Sequence, residues 1–318
     1  MIRIEYQNLN KLVNNHFNAI KNYFHRAGAR EYTQTLYSKI DSYLVSNFKG
    51  HTFEYLIKAN PIQLEEMRKE FDTNKPILIP EIDYIPKLYD YFSSYQGNIN
   101  QALIDVENQD QYTAHALIEK LGIKVCPYCN RNYIFNVPHT KRRTSDMDHF
   151  YPKSKYKFFA ISFFNLIPSC KVCNFLKNKS EEEIINPYRE DYKFDEEIQF
   201  YIKPIYINNF INNIDYFDIK LNFSKVSKFK LEYENMIDVF KIEKLYQAHK
   251  DVVTEIIRKV EIFTESYIEE LLKTKIFSSR EEIINLVLNT EVFDTNYRNL
   301  RPLTKLTNDI NSQYGFNR

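Results

Sequence analysis

Only five glycines occur in 318 residues, and none falls in a GxxxxGK[ST] string, so the chain lacks the phosphate cradle of a P-loop ATPase. No run approaches 18 apolar residues, which excludes an ordinary membrane-spanning helix, and Met1-Ile2-Arg3-Ile4-Glu5-Tyr6 offers no apolar signal-peptide core. A soluble, non-secreted, cytoplasmic protein with no membrane partner is the expectation. Charge of one sign is missing in bulk as well: 43 Lys and Arg against 42 Asp and Glu leave +1. A globally polycationic binder is excluded, and affinity for nucleic acid must come from a local patch. Internal repeats and low-complexity linkers are absent. The 25 Tyr and 24 Phe accompany abundant Lys, Asn and Ile, as low-GC codon usage produces, and do not by themselves indicate base stacking.

Cysteine is rare, four in all, and falls as two CxxC pairs, Cys126/Cys129 and Cys170/Cys173. Two matched pairs with none left over suit a tetrahedral Zn²⁺ closed by four thiolates, hence a structural ion. A thioredoxin-like redox motif needs a single CxxC in a βαβ setting, and a non-secreted protein favours thiolate ligands over disulfides. Forty residues lie between the pairs, where a zinc ribbon has roughly 15–20. That interval contains Asp146-Met147-Asp148-His149, and Asn174 follows the last cysteine. Charge also concentrates there. Between His139 and Ser180, nine Lys/Arg (141, 142, 143, 153, 155, 157, 171, 177, 179) oppose Asp146 and Asp148, giving +7 and leaving −6 elsewhere.

Around this segment the periodicity is mostly helical. Leu12, Val13, Phe17, Ile20 and Phe24 share a helix face, and Asn60-Pro61 supplies an N-cap before Leu64, Met67 and Phe71. Prolines 76, 80 and 86 break the next stretch, and a further helix is predicted over 99–121. Phe217, Ile219, Leu221 and Phe223 alternate as in a half-buried strand, with Gln199–Tyr206 as partner. Leu245, Val252, Ile256, Val260, Phe263, Tyr267 and Leu271 predict one long amphipathic helix from about Ile242 to Lys273, its apolar face turned to the core. Shorter helices follow. The predicted organisation is a helical region over 1–121, a motif-bearing module over 122–190, and a β segment with C-terminal helices over 191–318.

The motif residues suit a phosphodiester-cleaving site. Such a site needs oxygen ligands for a hard cation, a neutral imidazole to deprotonate water, and rigid placement of both beside a phosphate. Asp148 offers a carboxylate, His149 an imidazole and Asn174 an amide oxygen. On a helix, Cys173 can face zinc while Asn174 faces a second metal, with Lys177 three residues on and able to meet a phosphate. Strand alternation sends Asp148 and His149 to opposite faces, so both serve one site only if the strand ends or bulges at His149. Tyr151-Pro152-Lys153 is consistent with an ending.

The string Cys126-Pro-Tyr-Cys129, Asp146-Met-Asp148-His149-Phe-Tyr-Pro152-Lys-Ser154 and Asn165-Leu-Ile-Pro-Ser-Cys170-Lys-Val-Cys173-Asn174-Phe-Leu-Lys177 resembles the HNH, or ββα-metal, endonucleases. The likeness covers about residues 122–190 and includes the DxDH string shared with the HNH domain of the RNA-guided CRISPR effector nuclease. It implies an α+β chain, mainly helical, with a central ββα-metal module and a small antiparallel β segment after it. It further implies that Asp148 is the first ligand of a catalytic Mg²⁺ or Mn²⁺, His149 the general base and Asn174 the second ligand. Asn165 would orient the base and pin its loop, and Asp146 matches an acidic position of less defined role. Asparagine replaces the last histidine of the family name, a common variant. Lys153, Lys177, Arg142 and Arg143 are the candidate phosphate contacts. The implied activity is hydrolysis of DNA, with RNA, including tRNA, as the alternative substrate and a non-catalytic zinc-braced binding subunit as the alternative class. More loosely, the helical flanks and Asn186-Pro187-Tyr188 resemble the PtuB-type nucleases of the Septu and retron antiphage defence systems, which implies an ABC-like ATPase partner.

Overall fold

The computed structural model describes residues 2–4, 8–25, 31–137, 140, 142–178, 180, 182–205, 214–224, 227–289 and 300–315. Six helices come first: α1 (Leu9–His25), α2 (Glu31–Asn47), α3 (Phe53–Lys58), α4 (Pro61–Asn74), α5 (Tyr84–Ser93) and α6 (Ala114–Leu121). The apolar stripe of α1 is buried as its spacing predicts, from Leu12 to Phe24. A capping box opens α4. The Asn60 side chain accepts from the Gln63 backbone N–H, and the Gln63 side chain accepts from the Asn60 N–H, satisfying two donors the helix leaves unpaired. Lys75, in the left-handed region at φ 45°, closes the helix just before Pro76.

The helix predicted over 99–121 is much shorter. Only a 3₁₀ turn at Ile99–Gln101 and α6 are helical there, and Ile104 bridges Gln111 between them. Local side-chain bonds explain the difference. Asp105 accepts from the Glu107 N–H and Asn108 from the Asp110 N–H, turns that compete with helix, and Thr113 then caps α6 at Ala116 N.

Two antiparallel two-stranded sheets follow. The first pairs β1 (Ser145–His149) with β2 (Leu166–Cys170) in the register Ser145↔Cys170 through His149↔Leu166. Helix α7 (Lys171–Lys177) follows β2 without a break and packs on both strands. After the short α8 (Phe194–Glu197), the second sheet pairs β3 (Ile198–Pro204) with β4 (Phe217–Phe223), whose Phe217, Ile219 and Leu221 are buried in alternation. β3 is the predicted partner strand; Tyr206, its predicted end, lies outside the described residues. With helix and small antiparallel sheets in separate stretches of the chain, the arrangement is mixed α and β, mainly helical.

The long helix predicted from Ile242 to Lys273 is divided after α9 (Lys230–Val239) into α10 (Ile242–Tyr246), α11 (Lys250–Ile262) and α12 (Glu265–Lys273). A 3₁₀ turn over Gln247–His249 makes the first break, and the Thr264 hydroxyl, accepting from Tyr267 N, starts α12 afresh. Of the predicted face only Ile256 is fully buried; Leu245, Val252, Val260, Phe263 and Leu271 are partly buried and Tyr267 is exposed, while Val253, Ile257 and Ile268 take the inner positions because the breaks rotate each piece. α13 (Arg280–Leu288) and α14 (Thr304–Tyr314) complete the chain. α14 packs on β3, where Asp309, ion-paired to buried Lys305 at 2.7 Å, accepts the Phe200 N–H at 2.8 Å. No described helix is long and apolar enough to cross a membrane.

Candidate functional site

The four cysteines converge. Their Sγ atoms lie within 4.8 Å of one another, all four residues are buried, and none forms a disulfide. The first pair sits in a knuckle closed by Asn130 N–H to Cys126 O at 2.8 Å and Cys126 N–H to Asn132 O at 3.0 Å, with Asn130 left-handed at φ 51°. The second pair spans the junction of β2 and α7, where Cys170 caps the helix and accepts from Cys173 N. Sulfurs at 2.3 Å from a tetrahedral zinc are about 3.8 Å apart, and Cys129 and Cys170 already stand at 3.9 Å. Amide donors neutralise part of the thiolate charge: Arg131 N and Asn132 Nδ2 donate to Cys129 and Cys170 at 3.4 and 3.2 Å. The hydrogen bond from Cys126 pulls Cys129 and Cys170 toward the thiolate, whereas burial pushes Cys126 up and its thiol neighbours push Cys173 up. Four thiols this close and this dry cannot all ionise alone. A zinc ion fits the donor set, and binding it would ionise all four.

The strand pair carries the remaining candidates away from this corner. Asp146 and Asp148 alternate onto the face covered by α7, and α7 runs alongside β1 so that one polar residue meets each carboxylate. Asn174 Nδ2 donates to Asp146 Oδ2 at 3.0 Å. Lys177 Nζ lies 3.3 and 3.1 Å from the two Asp148 oxygens and donates to His149 O at 2.8 Å. The sequence reading expects Asn174 beside Asp148; the structure puts Asn174 on Asp146 and Lys177 on Asp148. A second donor reaches Asp148 from the zinc knuckle itself. Tyr128, between Cys126 and Cys129, gives its hydroxyl to Asp148 Oδ2 at 2.6 Å and stacks on Phe240.

His149, the last residue of the strand, makes contacts of its own, distinct from those of Asp148. Its Nε2 is 3.0 Å from Ala160 O, and its ring meets Tyr89 of α5 edge-on at 4.2 Å. A carbonyl only accepts, so Nε2 carries the proton and Nδ1 keeps its lone pair. Burial drops the imidazole pKa to about 4, against the carbonyl bond and the Asp148 charge that raise it, so the ring is neutral at pH 7. The strand ends at this residue. The loop after it is held by Asn165, whose Oδ1 accepts Tyr151 N at 2.7 Å while Nδ2 donates to Tyr151 O and Phe159 O at 3.2 and 2.9 Å.

The basic residues are less free than a +7 segment suggests. Lys153, Lys155 and Lys157 pair with Asp90, Asp72 and Asp83 of the N-terminal helical region at 3.3, 3.6 and 2.6 Å. Arg143 donates to Ser145 O and Ser93 O at 3.1 and 2.7 Å, so it holds backbone rather than presenting an open guanidinium. Lys177 is 7% exposed and committed to Asp148, not placed to meet a phosphate from solvent. Arg142 is exposed; Lys141 and Lys179 lie outside the described residues. Sequence reasoning missed Tyr128 and Tyr89. Tyr128 could have been suspected from its place between two zinc-type cysteines; nothing local marks Tyr89. Asn186-Pro187-Tyr188 is structural: Asn186 donates to Phe164 O at 2.8 Å and Tyr188 packs on Phe163 and Phe164. No protein-family model, no curated protein and no solved structure matches the chain.

Proposed function

We propose that the chain is a metal-dependent endonuclease of the HNH, ββα-metal kind that hydrolyses nucleic-acid phosphodiester bonds, with DNA the preferred substrate over RNA. One observation carries the reading. His149 closes a strand whose partner runs into the zinc-type corner, its Nε2 fixed by a carbonyl and its Nδ1 lone pair kept, in a loop pinned by Asn165. That tautomer is the one a general base needs.

Nδ1 of His149 takes a proton from a water that attacks phosphorus in line, and the 3′ oxygen leaves, giving a 5′ phosphate. The approach of a phosphate anion raises the imidazole pKa from about 4 toward the working range and so strengthens the base. Asn174, donating Nδ2 to Asp146, leaves Oδ1 as its open oxygen. The donors are hard oxygens of the kind a divalent ion takes, and Asp148 is held by the Lys177 ammonium in the metal-free protein. Mg²⁺ or Mn²⁺ held there by Asp148 and Asn174 would supply positive charge to the pentavalent phosphate. Solvent-exposed pairs such as Lys153–Asp90 are weak enough for a nucleic-acid phosphate to displace the carboxylate, so Lys153 and Arg142 serve as backbone contacts.

A second reading, a non-catalytic zinc-braced binding subunit, has its own support: both Asp148 oxygens are engaged, by Tyr128 and by Lys177. Incubation of zinc-loaded protein with plasmid DNA and with total RNA, in Mg²⁺ or EDTA, separates the two. Cleavage in Mg²⁺ that disappears in His149→Ala is expected; cleavage that survives this substitution removes His149 as base. The role as a cytoplasmic antiphage effector restrained by an ABC-like ATPase rests on the sequence resemblance, and co-purification with such an ATPase tests it.

A further inference from the structure

Lys177 is the most enclosed cation near the proposed site, and its surroundings are those of a bound metal ion rather than of a surface lysine. Its ammonium has three neighbours: the Asp148 carboxylate through both oxygens, the His149 carbonyl at 2.8 Å, and the Phe150 ring at 5.7 Å. The side chains of both partners in the ion pair are nearly fully buried, at 8% and 7% exposure. An ion pair so placed loses hydration on both sides, and an apolar pair of the same size would hold the fold as well. What the ammonium supplies is a positive charge on the one carboxylate that the proposed site assigns to a divalent cation.

We infer that Lys177 is a tethered cation that occupies the Asp148 position in the metal-free protein and competes with the divalent ion for it. The inference rests on the nuclease reading only for the assignment of Asp148 as a ligand. An ammonium and a divalent ion cannot share these oxygens, since one oxygen already accepts from Tyr128 and two cations this close repel. Room exists for the exchange. Lys177 is the last residue of α7, and it lines a cavity of about 380 Å³ whose wall carries Glu182 and Glu232 as well as Arg68, Lys155 and Arg189, with Glu183 paired to Arg68 at 2.7 Å. An ammonium released from Asp148 meets carboxylates there without unwinding the helix. Tyr128, anchored in the zinc knuckle, keeps the carboxylate oriented while the cations exchange. The site therefore holds its metal weakly until something engages Lys177, and the phosphate of a docked substrate is the anion best suited to do so.

The test is Mn²⁺ titration of the zinc-loaded full chain, read by the loss of the free-ion electron paramagnetic resonance signal, for wild type, Lys177→Met and Lys177→Arg. Expected is one Mn²⁺ bound at least tenfold more tightly by Lys177→Met than by wild type, with Lys177→Arg returning to weak binding. Retained zinc content shows that each variant is folded. Lys177→Gln, which keeps a hydrogen bond for the His149 carbonyl, is read in the same way should the apolar variant lose its zinc. Equal affinity in wild type and variants overturns the competition and leaves the metal reading standing. Weaker binding in the variants overturns it as well, making Lys177 a support for Asp148. Absence of Mn²⁺ binding from every protein overturns both the competition and Asp148 as a ligand.

Discussion

The two ends of one five-residue strand pair use opposite solutions to the same problem, crowded anionic donors away from water. At the Cys170 end, four thiols face one another with no built-in cation, and their ionisation waits for a metal from outside. Toward the His149 end, Asp148 brings its own cation in Lys177 and is satisfied without any metal. The first arrangement needs its ion to be stable; the second can exchange one.

The contrast breaks most easily at the thiol end. Cys129→Ser should abolish zinc binding and remove on the order of 10 kcal/mol of metal-linked folding free energy, seen as lost zinc by elemental analysis and a collapsed denaturation midpoint. At the aspartate end the single variants Asp148→Asn and Lys177→Met should each cost about 3–5 kcal/mol by stranding a buried charge. The double variant should recover most of that loss in urea unfolding; additive losses would mean the pair is not mutually compensating.

Acid should act on the histidines in between. Burial lowers the pKa of both His149 and His16 to about 4, and His16 is fully enclosed between Tyr112 and Ile161 O. The unfolded chain, with histidine near 6.5, then binds more protons than the folded one between about pH 6.5 and 4. The stabilisation is therefore complete above pH 6.5 and is lost on acidification to pH 4, about 3 kcal/mol for each histidine. Melting temperature against pH measures it, and His149→Gln should flatten roughly half of the slope. Smallest is Tyr128→Phe, expected to cost about 1.5–3 kcal/mol for one bond to a charged acceptor. Zinc should stay bound; zinc loss in this variant would mean the knuckle depends on Asp148 rather than the reverse.

Much of this arrangement can be read from sequence because it is local. The α4 cap is written in Asn60-Pro61 and Gln63, the α1 core face in the spacing of its apolar residues, and the metal corner in two CxxC pairs. The resemblance expects Asn165 on the second strand, pinning the loop; it stands in the 3₁₀ turn just before β2, where its amide bonds Tyr151 and Phe159. What was not legible depends on long-range pairing. The basic run 153–157 carries no sign of its partners, because Asp90 and Asp83 stand 63 and 74 residues earlier in the chain. The match of Lys177 to Asp148 needs the relative slide of a helix against a strand, which spacing along either element does not give. The helix expected from Ile242 to Lys273 breaks twice, at the 3₁₀ turn over Gln247–His249 and at the Thr264 cap, and only the second is written locally as a start signal.

One contact seals the zinc knuckle from far away. Asn130, the left-handed residue at the knuckle's turn, accepts Leu303 N on its carbonyl at 2.6 Å and Lys305 N on its side chain at 3.0 Å, so the start of α14 sits on the turn just after the first two cysteines. Some 174 residues separate Asn130 from Thr304. Both cysteine pairs precede α14 in the chain by more than 130 residues, so a metal could load before the corner is closed. Zinc should therefore exchange faster from a nascent or truncated chain lacking α14 than from the full protein.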